Sequence, residues 1–302
     1  TAIEYYNKYS VDLLAAINGS PTQGFGYTTL MTNNGKMVNR GVEITLSGEI
    51  IRQKDFSWNA SLLYAFNRNK VKHISVQPSL WDSRISMPTS YPMVGKPLYG
   101  IYAYKWAGLN ENGDPQVYDA ENNVTSGPAR DYHALVYCGT TVPIHNASLT
   151  NVLRYKGFEF SAMLILDAGH KLRSSNIPSI NMSNGRITST AKGIVDRWTQ
   201  PGDVTDVPRL LFSNDTENFN THRTELYRYS DLFVYDASNI RLSNISLAYR
   251  VPAHWCKKIS LSGARLQFNV ENVATFAFDS KANYDLGGKV KPNYVWGLYL
   301  NF

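Results

Sequence analysis

The chain has 302 residues, enough for one or two soluble domains or for part of a large membrane barrel. Only 18 % of its residues are charged, against roughly 25 % in an ordinary soluble domain. That composition excludes global disorder and collagen, and no run approaches the ~18 apolar residues of a spanning helix. Two cysteines, Cys138 and Cys256, are too few for a disulfide scaffold or a cysteine-based zinc site. The net charge is +6, but Lys and Arg are spread without a dense basic block. This predicts a solvated surface and no nucleic-acid partner. Residues 1–6 are not a signal peptide and already alternate like a strand, so the chain reads as a mature protein or a fragment.

Period-two alternation dominates from the start. In residues 3–15, Ile3, Tyr5, Asn7, Tyr9, Val11, Leu13 and Ala15 fall on one face, and Glu4, Tyr6, Lys8, Ser10 and Asp12 on the other. In 42–50, Val42, Ile44, Leu46 and Ile50 oppose Glu43, Thr45, Ser47 and Glu49; in 56–66, Phe56, Trp58, Ala60, Leu62, Tyr64 and Phe66 oppose Ser57, Asn59 and Ser61. The same pattern recurs in 147–155, 158–170, 238–250, 264–272 and 292–302, which makes about eight strands.

Alternation alone fits either a soluble β-sandwich or a lipid-facing barrel. Strand length, charged and amide-bearing polar faces, and the rhythm of the connections favour the barrel. Long or medium loops are expected near 17–37, 75–146, 171–236 and 274–291, with 75–146 long and irregular. Short turns are expected at 52–55, 156–157 and 251–257. This parity places Phe302 on the short-turn side, read as periplasmic. Tyr5, Phe56, Trp58, Tyr155, Phe158, Tyr249 and Phe302 gather there as an interfacial girdle. The expected fold is all-β: a segment of about eight strands of a transmembrane antiparallel β-barrel, with large external loops and residues 1–302 in one domain.

Several segments resemble the SusC/RagA-like TonB-dependent outer-membrane transporters of Bacteroidetes-type bacteria. Glu4-Tyr5-Tyr6-Asn7-Lys8 through Asp12-Leu13-Leu14 is similar to a "YYN…DLL" strand. Residues 34–43 resemble an "N-x-G-x-x-x-N-x-G-x-E" arm, and Val94-Gly95-Lys96-Pro97-Leu98-Tyr99-Gly100 a "vGkPlg" segment. The most specific match is Arg197-Trp198-Thr199-Gln200-Pro201-Gly202-Asp203 followed by Asp206-Val207-Pro208-Arg209; residues 238–249 follow closely. Residues 268–276 resemble "GQNLFTF", with Val270-Glu271 where Gly-Gln is usual. The resemblance covers essentially the whole chain but only the C-terminal third of a family member, without plug, TonB box or early strands. It implies TonB-dependent nutrient import across the outer membrane, oligosaccharide first and peptide as the alternative, with a SusD-like lipoprotein and the TonB complex as partners. A soluble β-sandwich glycan-binding module is the reading from a different class.

No catalytic constellation is visible, and the chain reads as a non-enzyme without cofactor or metal. The six histidines have no metal-like spacing, and Asn110–Asp114 and Asp119–Asn123 lack EF-hand spacing and read as turns. A Cys138–Cys256 bond would contradict the parity of the loops. Trp81, Tyr91, Tyr99, Trp106 and Trp198 in the external loops are the candidate substrate contacts, because sugar rings stack on exposed aromatics. The competing role for each is packing of the long loops. Glu43, Arg154, Asp167, Arg241, Arg265 and Glu271 are expected to face the lumen, where contact with a plug competes with substrate recognition.

Overall fold

The computed structural model describes residues 1–18, 29–76, 83–127, 131–178, 180–183, 186–210, 223–286 and 291–302. Its strands are β1 (Ala2–Asn18), β2 (Thr29–Arg52), β3 (Phe56–His73), β4 (Gly100–Tyr104), β5 (Trp106–Leu109), β6 (Pro115–Tyr118), β7 (Val124–Thr125), β8 (Leu135–Thr140), β9 (His145–Tyr155), β10 (Phe158–Ala168), β11 (Lys171–Arg173), β12 (Ile180–Ser183), β13 (Arg186–Thr190), β14 (Val234–Asp236), β15 (Asn239–Arg250), β16 (Gly263–Ala277) and β17 (Asn293–Asn301). Eight of them form one antiparallel sheet in the order β1-β2-β3-β9-β10-β15-β16-β17. Chain neighbours pair throughout, so the sheet is a meander interrupted by insertions. In this chain it does not close into a barrel; β1 and β17 are its edges.

Cross-strand register shows the two faces directly, because paired residues point the same way. One row reads Leu46–Leu62–Leu149–Leu164–Leu242–Ala274, and another Phe56–Tyr155–Phe158–Tyr249–Leu266–Leu298. The opposite face carries Glu43–Ala65–Asn146–Asp167–Asn239 and Ser47–Ser61–Thr150–Met163–Asn244–Glu271. Among the described residues no second sheet covers the apolar face: Tyr5 (69 %), Leu266 (50 %), Trp296 (78 %) and Leu298 (62 %) are exposed. A soluble sandwich would bury these side chains between two sheets.

The upper limit of the apolar face is set by charge. On β3 it runs from Phe56 at the turn up to Arg68, which stands beside Arg40 of β2 on the same face. Arg40 Nε donates to Asn7 Oδ1 at 3.2 Å. The twelve residue steps from Phe56 to Arg68 span roughly 40 Å along a strand at ~3.4 Å per residue, or roughly 29 Å across a bilayer when tilted ~45°. That matches a hydrocarbon core of ~30 Å. The few polar groups within the band are satisfied: Trp58 Nε1 donates to Asn151 Oδ1 at 3.1 Å, and the Tyr64 hydroxyl lies 2.9 Å from His145 Nδ1.

Five sequence expectations change. Unbroken alternation over 3–15 fails at a bulge: the β1–β2 register shifts after Ser10, and Asp12 takes φ +56°. The loop expected over 17–37 is shorter, because β1 runs to Asn18 and β2 starts at Thr29. The segment 75–146 is not irregular; it contains β4–β8 in two small sheets, β4 with β8 and β5 with β6 and β7. The short turn over 251–257 holds a single helical turn, Ala253–Lys257. β16 also extends to Ala277, into the expected 274–291 loop.

Among the described residues, a cluster of buried apolar side chains lies in the insertions. Tyr102, Tyr104, Val117, Ala134, Leu135 and Leu226 are its buried members, and Trp106, Tyr132 and Tyr137 pack around them. Long loops that carry their own apolar core behave as a compact cap, so their chemistry is positioned by packing.

Candidate functional site

The polar face of the sheet brings together all six residues expected there. Glu43 lies opposite Glu4, and Asp167 stands two strands beyond Ala65 in the same row. Asn146 Nδ2 donates to Asp167 Oδ1 at 2.6 Å, and Arg241 reaches Asp167 Oδ2 at 4.0 Å. Asn293 Nδ2 donates to Glu271 Oε2 at 3.4 Å. Arg154 Nε donates to Glu159 Oε2 at 2.7 Å, and Arg265 donates to Glu159 Oε1 at 3.2 Å. Glu159 therefore bridges two arginines that the sequence reading selected while omitting the carboxylate between them. Its signal was available: Glu159 occupies the polar parity of β10, directly opposite Arg154.

The network is incomplete. Arg241 Nε is buried without a hydrogen-bond partner among the described residues. A buried donor left unpaired costs ~1–3 kcal/mol.

The loop cap explains the sequence signature at 197–209. Asp203 accepts hydrogen bonds from Thr199 N and Oγ1, both at 2.8 Å, and from Gln200 N at 3.0 Å. The Thr199 and Gln200 donors hold the Asp203 carboxyl below its usual range. Gly202 closes this turn at φ +97°. Trp198 donates its backbone N–H to Val207 at 2.8 Å, and its indole lies over Gly113, where any side chain would collide with the ring. Arg209 Nε meets Asp114 Oδ1 at 3.1 Å, and Arg223 Nε reaches the same oxygen at 2.6 Å. Burial pulls the Arg223 guanidinium pKa down, and Asp114 opposes that shift. The motif thus builds the cap.

The other candidates divide by exposure. Trp106 is packed: its Nε1 donates to Asp206 Oδ1 at 3.0 Å, its N–H to Asp231 Oδ1 at 2.9 Å, and its ring meets Tyr227 at 5.7 Å. Tyr91 is half-buried, and its carbonyl accepts from Arg84 Nε at 3.3 Å. Tyr99 presents half of its surface to solvent. Trp81 lies outside the described residues.

Both cysteines are free thiols, and burial with the nearby Asp231 pushes Cys138 up to about 11, with Arg173 opposing. Among the described residues no cluster of His, Cys, Asp and Glu is arranged to hold a metal. No helix among them is long and apolar enough to cross a membrane, which leaves strand crossing untouched.

No protein-family model matches the chain. TonB-dependent receptor P3 of Formosa agariphila is 24 % identical over 319 residues, covering 98 % of this chain and 30 % of that protein. The TonB-dependent receptor SusC of Bacteroides thetaiotaomicron is 23 % identical over 284 residues, covering 89 % of this chain and 26 % of that protein. Among solved structures, the RagAB peptide transporter superposes with a TM-score of 0.72 at 22 % identity, over 99 % of this chain and 33 % of the matched chain. The relatives are named as receptors and transporters, and the chain spans under a third of the length of these curated relatives.

The two-faced antiparallel wall with its long, cored insertions has the fold of one segment of the β-barrel in the RagAB structure. Over nearly its whole length the chain is similar to part of proteins named TonB-dependent receptors, SusC among them.

Proposed function

We propose that this chain forms the C-terminal wall and part of the external cap of a TonB-dependent importer, and that its cargo is an oligosaccharide. The observation that carries the reading is the uncovered apolar face, about one hydrocarbon core in height, backed by a face of Glu, Asp, Asn, Ser and Arg. On this reading the polar face lines the lumen. Arg154, Glu159 and Arg265, together with Glu43, Asp167, Arg241 and Glu271, meet a plug and the water around it.

In the cap, Tyr99 and Tyr91 contact substrate, while Trp106 and Trp198 hold the cap's shape. A SusD-like lipoprotein delivers the cargo and the TonB complex acts through regions outside this chain. Peptide cargo is the second reading, favoured by the likeness to a protein described as a peptide transporter. Calorimetric titration of the intact transporter with a glycan panel and a peptide panel separates them. Saturable glycan binding weakened by Tyr99→Ala is expected; saturable peptide binding with no glycan response refutes the oligosaccharide assignment.

A further inference from the structure

The geometry points to a binding collar for anionic phospholipid headgroups along the short-turn end of the wall, an inference that rests on the membrane-wall reading above. The turns at this end form one continuous edge. Lys156 N donates to Asp55 O at 2.8 Å, Arg250 N to Gly157 O at 2.8 Å, and Ser262 N to Asn301 O at 2.8 Å.

This edge is strongly cationic. Lys54, Lys156, Lys257 and Lys258 lie on it, and Asp55 is the one acid within 53–55, 156–157 and 251–262. Arg52 is already paired with Glu49 at 3.4 Å, whereas Lys54, Lys257 and Lys258 have no ion pair among the described residues.

The cations adjoin the aromatic end of the apolar face. Phe56, Tyr155, Phe158 and Tyr249 form one cross-strand row immediately inside the turns. Phe158 and Tyr249 have ring centroids 4.5 Å apart, and Lys156 Nζ sits 5.3 Å from the centroid of Tyr155. The helical turn Ala253–Lys257 is anchored by buried Cys256, yet it leaves Trp255 55 % and Ile259 68 % exposed. An exposed Trp and Ile flanked by lysines fit the boundary between acyl chains and headgroups. Acyl chains lie along the apolar rows, the aromatic row sits at the glycerol level, and the lysines reach the phosphate. Charge complementarity and continuity with the apolar face favour a lipid over an acidic protein, which would have no use for the adjoining greasy rows.

The test uses the full-length transporter, wild type and K54Q/K156Q/K257Q/K258Q, mixed with equal phosphatidylglycerol and phosphatidylcholine of matched acyl chains. Native mass spectrometry reads the retained lipids. Wild type is expected to retain phosphatidylglycerol about tenfold over phosphatidylcholine, and the variant to fall near parity. Parity in the wild type, or an unchanged ratio in the variant, overturns the collar and leaves the edge to a protein partner. Tryptophan quenching by acyl-brominated phosphatidylcholine is read in parallel. Quenching in both proteins keeps the wall reading intact whatever the headgroup result, and its absence in both condemns the wall reading itself.

Discussion

Leu46→Arg and Thr45→Arg place the same side chain on adjacent residues of β2, pointing to opposite faces. Leu46 pairs with Leu62, which lies six positions from Phe56 and six from Arg68, the ends of the apolar face on β3. Six residues at ~3.4 Å each, tilted ~45°, put Leu46 roughly 14 Å above the lower boundary, close to the bilayer midplane. Its neighbours in the row are Leu62, Leu149 and Leu164. An arginine there is expected to cost ~2–4 kcal/mol, roughly a 30- to 1000-fold loss in the folding equilibrium. Thr45 pairs with Ala2 and Leu63 on the polar face, where a cation has Glu43 in the same strand and stays hydrated. Its penalty is expected below about 1 kcal/mol. Urea-dependent folding of the intact transporter into lipid vesicles measures both. Equal penalties, or a larger one at Thr45, would show that the faces have been assigned wrongly.

Three further outcomes are expected. Asp114→Asn leaves Arg209 and Arg223 facing each other without their carboxylate; partial exposure of all three side chains places the loss at about 2–4 kcal/mol, seen as faster hydrogen exchange confined to the cap, and exchange that stays slow would dismiss the clamp. Gly41→Ala forces a Cβ against the Tyr6 ring and to 2.5 Å from the Phe66 carbonyl oxygen; the overpacking is expected to cost about 1–3 kcal/mol, and an unchanged melting temperature would contradict that close approach. Burial raises the Asp236 pKa, but hydrogen bonds from Ser238 and the Lys171 ammonium at 3.0 Å outweigh it and leave it at about 2. The stability it supplies is thus fully present above the unfolded carboxylate value of ~3.9 and disappears as pH falls through about 2. Opening of the β11–β14 pair, followed by NMR of Lys171 and Asp236, should track that window and vanish in Asp236→Asn.

The wall was legible because its physics is local. Alternation of greasy and polar residues fixes each strand's faces, and the register of all eight strands agrees with it except at the bulges. Those bulges were hidden for a physical reason. In β15, Ile240 and Leu242 share a face with Ile245, Leu247 and Tyr249, although the spacing slips by one. The register shift around Ser243 absorbs the extra residue, and period-two counting cannot see it. Asp12 does the same in β1. The cap was less legible because its order depends on pairs remote in sequence. Arg223 meets Asp114, Trp106 meets Asp206, and Arg173 donates to the Tyr102 carbonyl at 2.6 Å. Trp106 and Trp198 stood out as loop aromatics, but only the fold reveals that Asp206 and Gly113 occupy them.

The central claim is that the greasy rows meet lipid hydrocarbon while the opposite face meets water. Spin labels on the intact transporter, with Cys138 and Cys256 replaced, test it at Leu247 and Leu298 on one face and at Ser246 and Ser61 on the other. In bilayers, the account predicts strong relaxation by oxygen at Leu247 and Leu298 and by a water-soluble nickel chelate at Ser246 and Ser61. Oxygen and nickel accessibilities that fail to alternate between the two sets, or that alternate in the reverse sense, would contradict it.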